Sequence, residues 1–354
     1  MKAWILHGVG DLRYEDAGQP EIGAGEALVQ VEAAGICGSD VQRVFATGAH
    51  VHPIVIGHEF SGRVVGVGAE GDAGWLGRRV GVYPLIPCGG CPCCRRGQYE
   101  LCRAYGYLGS RRDGGFAEYA AVPVRNLVGL PASVSAEAAA MLEPMAVAVH
   151  AMRRAMPDRA HTVAVCGLGT IGLLLAMFLR EAGVGRVLAI GNKDLQRREV
   201  VGMGLPEDCF FDSRGGPASR WVMERTDGLG ADVFFECVGR DETVAEAVQG
   251  TAPGGRVCLV GNPASAMRLE RDVYWKILRN QLTVTGTWNS AFGGFTAGGM
   301  AGEDDWGYVL ERLSGGAVSP ESLISHRLPL EGLMDGLRIM KEKSEEYGKI
   351  MCVF

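Results

Sequence analysis

The sequence lacks an excess of basic residues. Its 35 Lys and Arg stand against 41 Asp and Glu, a formal net charge of −6. Such a chain has no broad cationic field with which to hold nucleic acid or an anionic membrane surface. It also lacks a clean membrane-length apolar run. The longest candidate, Val163 to Leu179, has the length of a span, but three glycines in phosphate-loop spacing interrupt it and no second such stretch exists. The start, MKAWILHGVG, offers one Lys and a very short apolar run before His7 and Gly8, which is not the pattern of a secretory leader. No repeat of fixed period and no low-complexity tract is visible. With 47% hydrophobic residues over 354 positions, what remains is a folded chain of roughly two domains.

Glycine and cysteine are in surplus. The 53 glycines are about twice the usual ~7% share, and without a collagen period they imply tight turns and close backbone approaches. The cysteines number eleven, an odd count, and five of them fall between Cys88 and Cys102. In a chain this long without a leader, that clustering favours metal over disulfides. Thiolates need a reducing compartment, so the expected location is the cytoplasm.

The chain changes texture near residue 150. Before it lie short strands and Gly/Pro turns: EALVQVEAAGI (26–36) alternating like a half-buried strand, then FSGRVVGVG (60–68) and RRVGVYPL (78–85). A helical pattern covers 135–155, with Ser135 as its cap and Pro144 expected to break it in two. From Thr162 strands and helices alternate (TVAVCG, TIGLLLAMFLREAG, RVLAIG, DLQRREVVGMG and onward), the signature of βαβ units and a parallel sheet. After Trp288 comes an irregular Gly-rich stretch, SAFGGFTAGGMAG, then a helix near 306–313 and a closing helix and strand.

Three groups of residues carry chemistry. Cys88, Cys91, Cys94 and Cys102 give C-x2-C-x2-C-x7-C. Four thiolates from one short segment can close a tetrahedron around zinc with no open position, so a structural zinc is expected. Bacterial iron–sulfur proteins share the first two spacings but continue x3-C-P; that use and a redox use are the alternatives, and Cys93 is left over as a free thiol. Gly167, Gly169 and Gly172 form G-x-G-x-x-G between the strand TVAVC and a helix beginning at Thr170 and Ile171, a dinucleotide loop in its proper setting. At the end of the next strand, where such folds place an acid for the ribose hydroxyls, stands Gly191, followed by Asn192 and Lys193, with Arg197 and Arg198 near. The absence of an acid leans toward NADP over NAD. Asp194 reads as a helix N-cap. Third, Cys37, His58, Glu59 and Glu143 are dispersed. Singly each has a bland reading, a buried thiol or a hydrogen-bonded imidazole. Together they can supply three ligands and one open position of a catalytic zinc.

CGSD, GHE, the four-cysteine lobe and G-x-G-x-x-G, in this order, resemble the zinc-dependent medium-chain alcohol dehydrogenase family over essentially the whole chain. The segments GAHVHPIVIGHEFSG, GSRRDGGFAEY and KILRNQLTVTGTW are similar to its sugar-alcohol phosphate members. The resemblance implies an α/β protein with a GroES-like β-rich catalytic domain (1–151 and 289–354, with the zinc lobe at 88–102) and a Rossmann doubly wound parallel-sheet domain (152–288), the active site lying in the cleft between them. It implies two zinc ions per chain, one catalytic and one structural. Cys37, His58 and Glu143 are the expected catalytic ligands, with Glu59 direct or one step removed. Asp40 is expected to orient the imidazole of His58, and Ser39 to contact the substrate oxygen and begin a proton relay. Many relatives place a relay His three residues later, where this chain has Gln42, which is no base. The implied reaction is reversible hydride transfer between a secondary alcohol and NADP or NAD. The substrate is expected to be a small polyol phosphate, with a free polyol or threonine as alternatives within the class and a non-catalytic zinc or cofactor-binding relative outside it. A phosphate would need cations: Arg111, Arg112 and His50 first, then Arg43 and Lys276. No nucleic-acid or membrane partner is expected, and a homodimer or homotetramer is.

Overall fold

The computed structural model describes residues 1–263, 265–294 and 304–354. Most of the Gly-rich stretch noted above, residues 295–303, lies outside the described residues. The chain divides into two compact units, Met1–Glu143 with Ala291–Phe354, and Pro144–Ser290. The first cut falls at 143/144, whereas the sequence reading drew it at 151.

The first unit is built on a mostly antiparallel seven-stranded sheet, with a small three-stranded sheet beside it. Its centre is the strand Glu26–Gly35, whose odd-numbered positions are all buried while Glu26 and Glu32 are half-buried and Gln30 is exposed on the alternate face, as the half-buried reading above expects. One edge pairs with Glu59–Val67. The other edge is shared by Tyr119–Pro123 and by the final strand Lys349–Val353. Both edges are therefore occupied, and the helix Ala136–Ala140 packs against the strand. The register sets Gly35 opposite Glu59 on one side and Met351 on the other. Phe60, Phe116, Ile36, Leu6 and Ile350 belong to the core beneath. Gly57 (φ +97°) lies so close to the Phe116 ring that a Cβ there would collide with it.

The helical segment at 135–155 does break in two, but not at Pro144. The helices are Ala136–Ala140, capped by the Ser135 hydroxyl accepting from Ala138 N at 3.0 Å, and Leu142–Ala155. Pro144 sits in the first turn of the second helix, where its missing N–H is an orphan position in any case, so it costs nothing there.

The second unit is a six-stranded sheet in the order 210–212, 186–191, 162–166, 231–236, 251–259 and 283–286, with every pair parallel. The order reverses at Thr162–Cys166, whose neighbours are Arg186–Gly191 and Ala231–Glu236. Ligands of doubly wound sheets bind outside the carboxyl ends of the strands at such a switch point. The membrane-length apolar run resolves into the strand Thr162–Cys166 and the helix Thr170–Glu181. No helix among the described residues is long and apolar enough to cross a membrane.

Candidate active site and metal centres

The four cysteines converge. Cys91 Sγ lies 3.5 Å from Cys94 Sγ and 4.0 Å from Cys102 Sγ, and Cys88 Sγ lies 3.9 Å from Cys94 Sγ. These are not disulfide lengths. Zinc held at ~2.3 Å by four sulfurs sets neighbouring sulfurs roughly 3.8 Å apart, so the cage has the dimensions of that ion. Backbone N–H groups from Arg103 and Cys94 hold the Cys91 thiol down to about 6, while burial and its sulfur neighbours push Cys94 up to about 12. Four thiolates cannot share such a space without a cation among them.

The dispersed group is gathered by strand register. Cys37 follows the central strand and stands at the N-cap of the short helix Gly38–Gln42. His58 immediately precedes the strand that Glu59 begins. Donor atoms of Cys37, His58 and Glu59 lie within 4.8 Å of one another. Asp40 is fully buried and accepts from Cys37 N (3.0 Å) and from Arg43 Nη1 (2.9 Å). Its Oδ1 lies 3.4 Å from His58 Nδ1, a buried ring nitrogen with no shorter partner among the described residues. Burial alone would raise the Asp40 carboxyl, but the His58 ring, Arg43 and the Cys37 N–H bring it to about 2. Burial likewise works against a charged His58, and the neighbouring Asp40 and Cys37 outweigh it, raising the imidazole well above its ordinary value. This orphaned, charge-facing imidazole beside a thiol and a carboxylate is the donor set of a borderline-soft cation.

Glu143 is set slightly apart. Its carboxyl accepts a hydrogen bond from the Tyr107 hydroxyl (3.2 Å), and it is not one of the three clustered donors. Burial, then the neighbouring Glu59, lifts it to about 7 against the pull of His58 and Lys349. Two partners of this site escaped the sequence reading. The Tyr107 ring packs 5.7 Å from the His58 ring. Lys349, only 1% exposed, donates to Glu59 Oε2 and to the Ile36 carbonyl (3.0 Å). A lysine at the head of the closing strand KIMCV was the available signal. Ser39 Oγ accepts from Arg43 Nη1 at 2.9 Å.

In the second unit Gly167 (φ +97°) takes a conformation that favours glycine, and a Cβ there would strike Val238 and the Cys237 backbone. Gly169 caps the helix Thr170–Glu181, and a Cβ on it would meet nothing within 4 Å. The loop thus presents open backbone at a helix N-terminus, where pyrophosphate binds in such folds. The end of the next strand differs from expectation in one respect. The N-cap is Lys193, and Asp194 is the first helical residue rather than the cap, with its carboxylate 3.4 Å from Arg214. The capping work falls to buried Gln196, whose Oε1 accepts from Asn192 N (2.8 Å) and Lys193 N (3.1 Å) and whose Nε2 donates to Leu168 O (2.8 Å). A Cβ at Gly191 would lie 2.5 Å from that same oxygen.

Comparison with known proteins agrees with this geometry. Residues 23–132 match the alcohol dehydrogenase GroES-like domain, and residues 170–301 match the zinc-binding dehydrogenase domain. Galactitol 1-phosphate 5-dehydrogenase of Escherichia coli (strain K12) is 32% identical over 354 residues, all of both chains. The chain belongs to the zinc-dependent medium-chain alcohol dehydrogenase family. This dehydrogenase shares its fold with crystallised galactitol-1-phosphate dehydrogenase from Escherichia coli (TM-score 0.89, 31% identity, 100% of both chains). It is also similar to a zinc-binding dehydrogenase from Sinorhizobium meliloti 1021 solved with NADP (TM-score 0.87, 29% identity, 100% of this chain and 99% of that one). The dehydrogenase is therefore a zinc-dependent oxidoreductase of the polyol and alcohol class, acting on a small-molecule substrate.

Of the five cations considered for a phosphate in this dehydrogenase, three are engaged by other groups. Arg112 is paired with Glu26, and Lys276 belongs to the second unit and donates to the Gln249 carbonyl. Arg43 holds Ser39 and Asp40. Arg111 and His50 remain.

Proposed function

We propose that the enzyme oxidises a secondary hydroxyl of a sugar-alcohol phosphate to a ketone, reversibly, with galactitol 1-phosphate giving tagatose 6-phosphate as the favoured pair and NADP as the favoured acceptor. The observation that carries the chemistry is the convergence of Cys37, His58 and Glu59 donors within 4.8 Å.

In this reading Cys37 and His58 hold the catalytic zinc together with a carboxylate from Glu59 or Glu143, and Cys88, Cys91, Cys94 and Cys102 hold the structural one. Bound zinc supplies a Lewis acid that makes the substrate hydroxyl more acidic, and the nicotinamide takes the hydride. The chain's residues do the rest. Asp40, pinned by Arg43 and the Cys37 N–H, keeps the His58 ring oriented through Nδ1. Lys349 restrains the Glu59 carboxylate. Ser39 Oγ accepts from Arg43, which leaves its own O–H free to rotate toward the substrate oxygen and pass a proton. Gln42 cannot take that proton, so it leaves through water, the cofactor ribose, Glu59 or another His.

The cofactor reading rests on Gly191. With Gln196 filling the space a side chain would need, position 191 itself carries no acid, its register partner Asp212 is neutralised by Arg214, and Lys193 follows two residues on. Galactitol 1-phosphate and free galactitol, each tested with NADP and NAD, check both halves of the reading. Higher kcat/KM for the phosphorylated polyol with NADP supports it. Equal turnover of free and phosphorylated polyol removes the substrate, and a strong NAD preference removes the cofactor. Metal analysis separates an enzyme, with about two zinc ions per chain, from a scaffold with one.

A further inference from the structure

We propose that Arg111 and His50 form the subsite for the phosphate of the substrate, a phosphomonoester dianion at the end of the polyol remote from the reacting carbon; this rests on the phosphorylated-substrate reading above. The argument begins with a loop. The carbonyl of Tyr107 accepts the N–H groups of Ser110 (3.2 Å), Arg111 (2.9 Å) and Arg112 (3.1 Å), and Gly109 N donates back to Arg112 O (2.7 Å). Four consecutive residues are thus wound around the backbone of the tyrosine whose ring packs against His58 and whose hydroxyl meets Glu143. The turn thus ties the Arg111 backbone to Tyr107.

The side chain is held as well. The Arg111 guanidinium lies over the Tyr105 ring, 4.9 Å from its centroid, and Tyr105 packs edge-on to Tyr107 at 6.1 Å. A guanidinium stacked on an aromatic face keeps its N–H edge free for bidentate contact with an oxyanion. His50 is tied to the same turn, its N–H donating to Ser110 O at 3.1 Å.

Charge supplies the second observation. Among the described residues neither Arg111 nor His50 is paired with a carboxylate. The nearest acid in sequence, Asp113, accepts from Val55 N (2.8 Å), and Glu26 is engaged by Arg112. Partial burial, then Arg111 and Arg43, depress the basicity of His50. Arg43 has Asp40 as its counter-charge, so Arg111 is the guanidinium of this group left without one among the described residues, and a dianion beside it would both pair with it and favour the protonated form of His50. Arg43 joins this region to the reacting end, since its guanidinium also holds the Ser39 hydroxyl.

The test uses the zinc-loaded enzyme with saturating cofactor and compares kcat/KM for galactitol 1-phosphate with that for free galactitol. Arg111→Ala and His50→Gln are each expected to lower the ratio of the two by roughly 10- to 100-fold, mainly through KM for the phosphorylated polyol. Arg111→Lys is expected to recover part of the loss, and inorganic phosphate to compete less well against the ester in the Ala variant. An equal loss on both substrates assigns these residues a structural role and overturns the subsite. A wild-type preference for the phosphorylated polyol that persists in both variants overturns the subsite while leaving the substrate in place. No preference in the wild type overturns both.

Discussion

The ammonium of Lys349, on the last strand of the chain, pairs with the carboxylate of Glu59, 290 residues earlier, where both side chains are almost wholly buried. The space for this pair is made by Gly35, which lies opposite Glu59 in the sheet and where any side chain would run into both partners. Removing one member leaves the other charge buried alone. Lys349→Met is expected to cost about 3–5 kcal/mol of stability in urea denaturation, wild type and variants being compared after the same removal of metal by chelator, and the double variant Lys349→Met/Glu59→Gln to regain much of it. A single variant as stable as the wild type would mean that the pair is not sealed from water.

Metal content should respond to the two donor sets independently. Cys94→Ser or Cys102→Ser is expected to remove about one zinc per chain and to lower thermal stability, because a closed four-sulfur site contributes folding free energy directly. His58→Ala is expected to remove the other ion and abolish turnover while the cysteine lobe stays loaded. Comparing Glu59→Gln with Glu143→Gln by mass spectrometry of the native protein then tells which carboxylate grips the ion, as that variant loses metal and the other keeps it.

Cofactor choice should be resistant to the simplest redesign. Gly191→Asp places its Cβ against Gln196 Oε1, so the single variant is expected to lose activity with both nicotinamides rather than switch between them. Lys193→Ala is expected to lower kcat/KM for NADP relative to NAD by roughly tenfold, the value of one charge-assisted contact. An unchanged ratio would show that Lys193 faces away from the ribose.

The first unit's second core feature is aromatic. Trp306 is fully buried, edge-on to Tyr83 at 5.3 Å and 5.8 Å from Phe292. Trp306→Ala is expected to destabilise by about 3–5 kcal/mol, read as a lower midpoint of denaturation.

What could be read from the sequence was whatever depends on neighbours along the chain. The cysteine lobe lies within fifteen consecutive positions, 88–102, and the glycine loop within six, 167–172, so spacing and backbone freedom alone nearly dictate the geometry of each. Ser135 as a cap belongs to the same class, because a hydroxyl three residues from an N–H has little choice of partner. Pro144 was misjudged because its effect depends on which turn of a helix it occupies, and that depends on where the preceding helix ends. Tertiary structure decided the rest. Register across the central strand brings Cys37, His58, Glu59 and Lys349 together, and a one-residue slip in that register would turn their side chains to the other face. It also decided that Arg112 is spent on Glu26 while Arg111, one position earlier, is not, and that Gln196 rather than Asp194 caps its helix. Such assignments rest on which groups are desolvated together, and burial is a property of the packed chain rather than of any local run of residues.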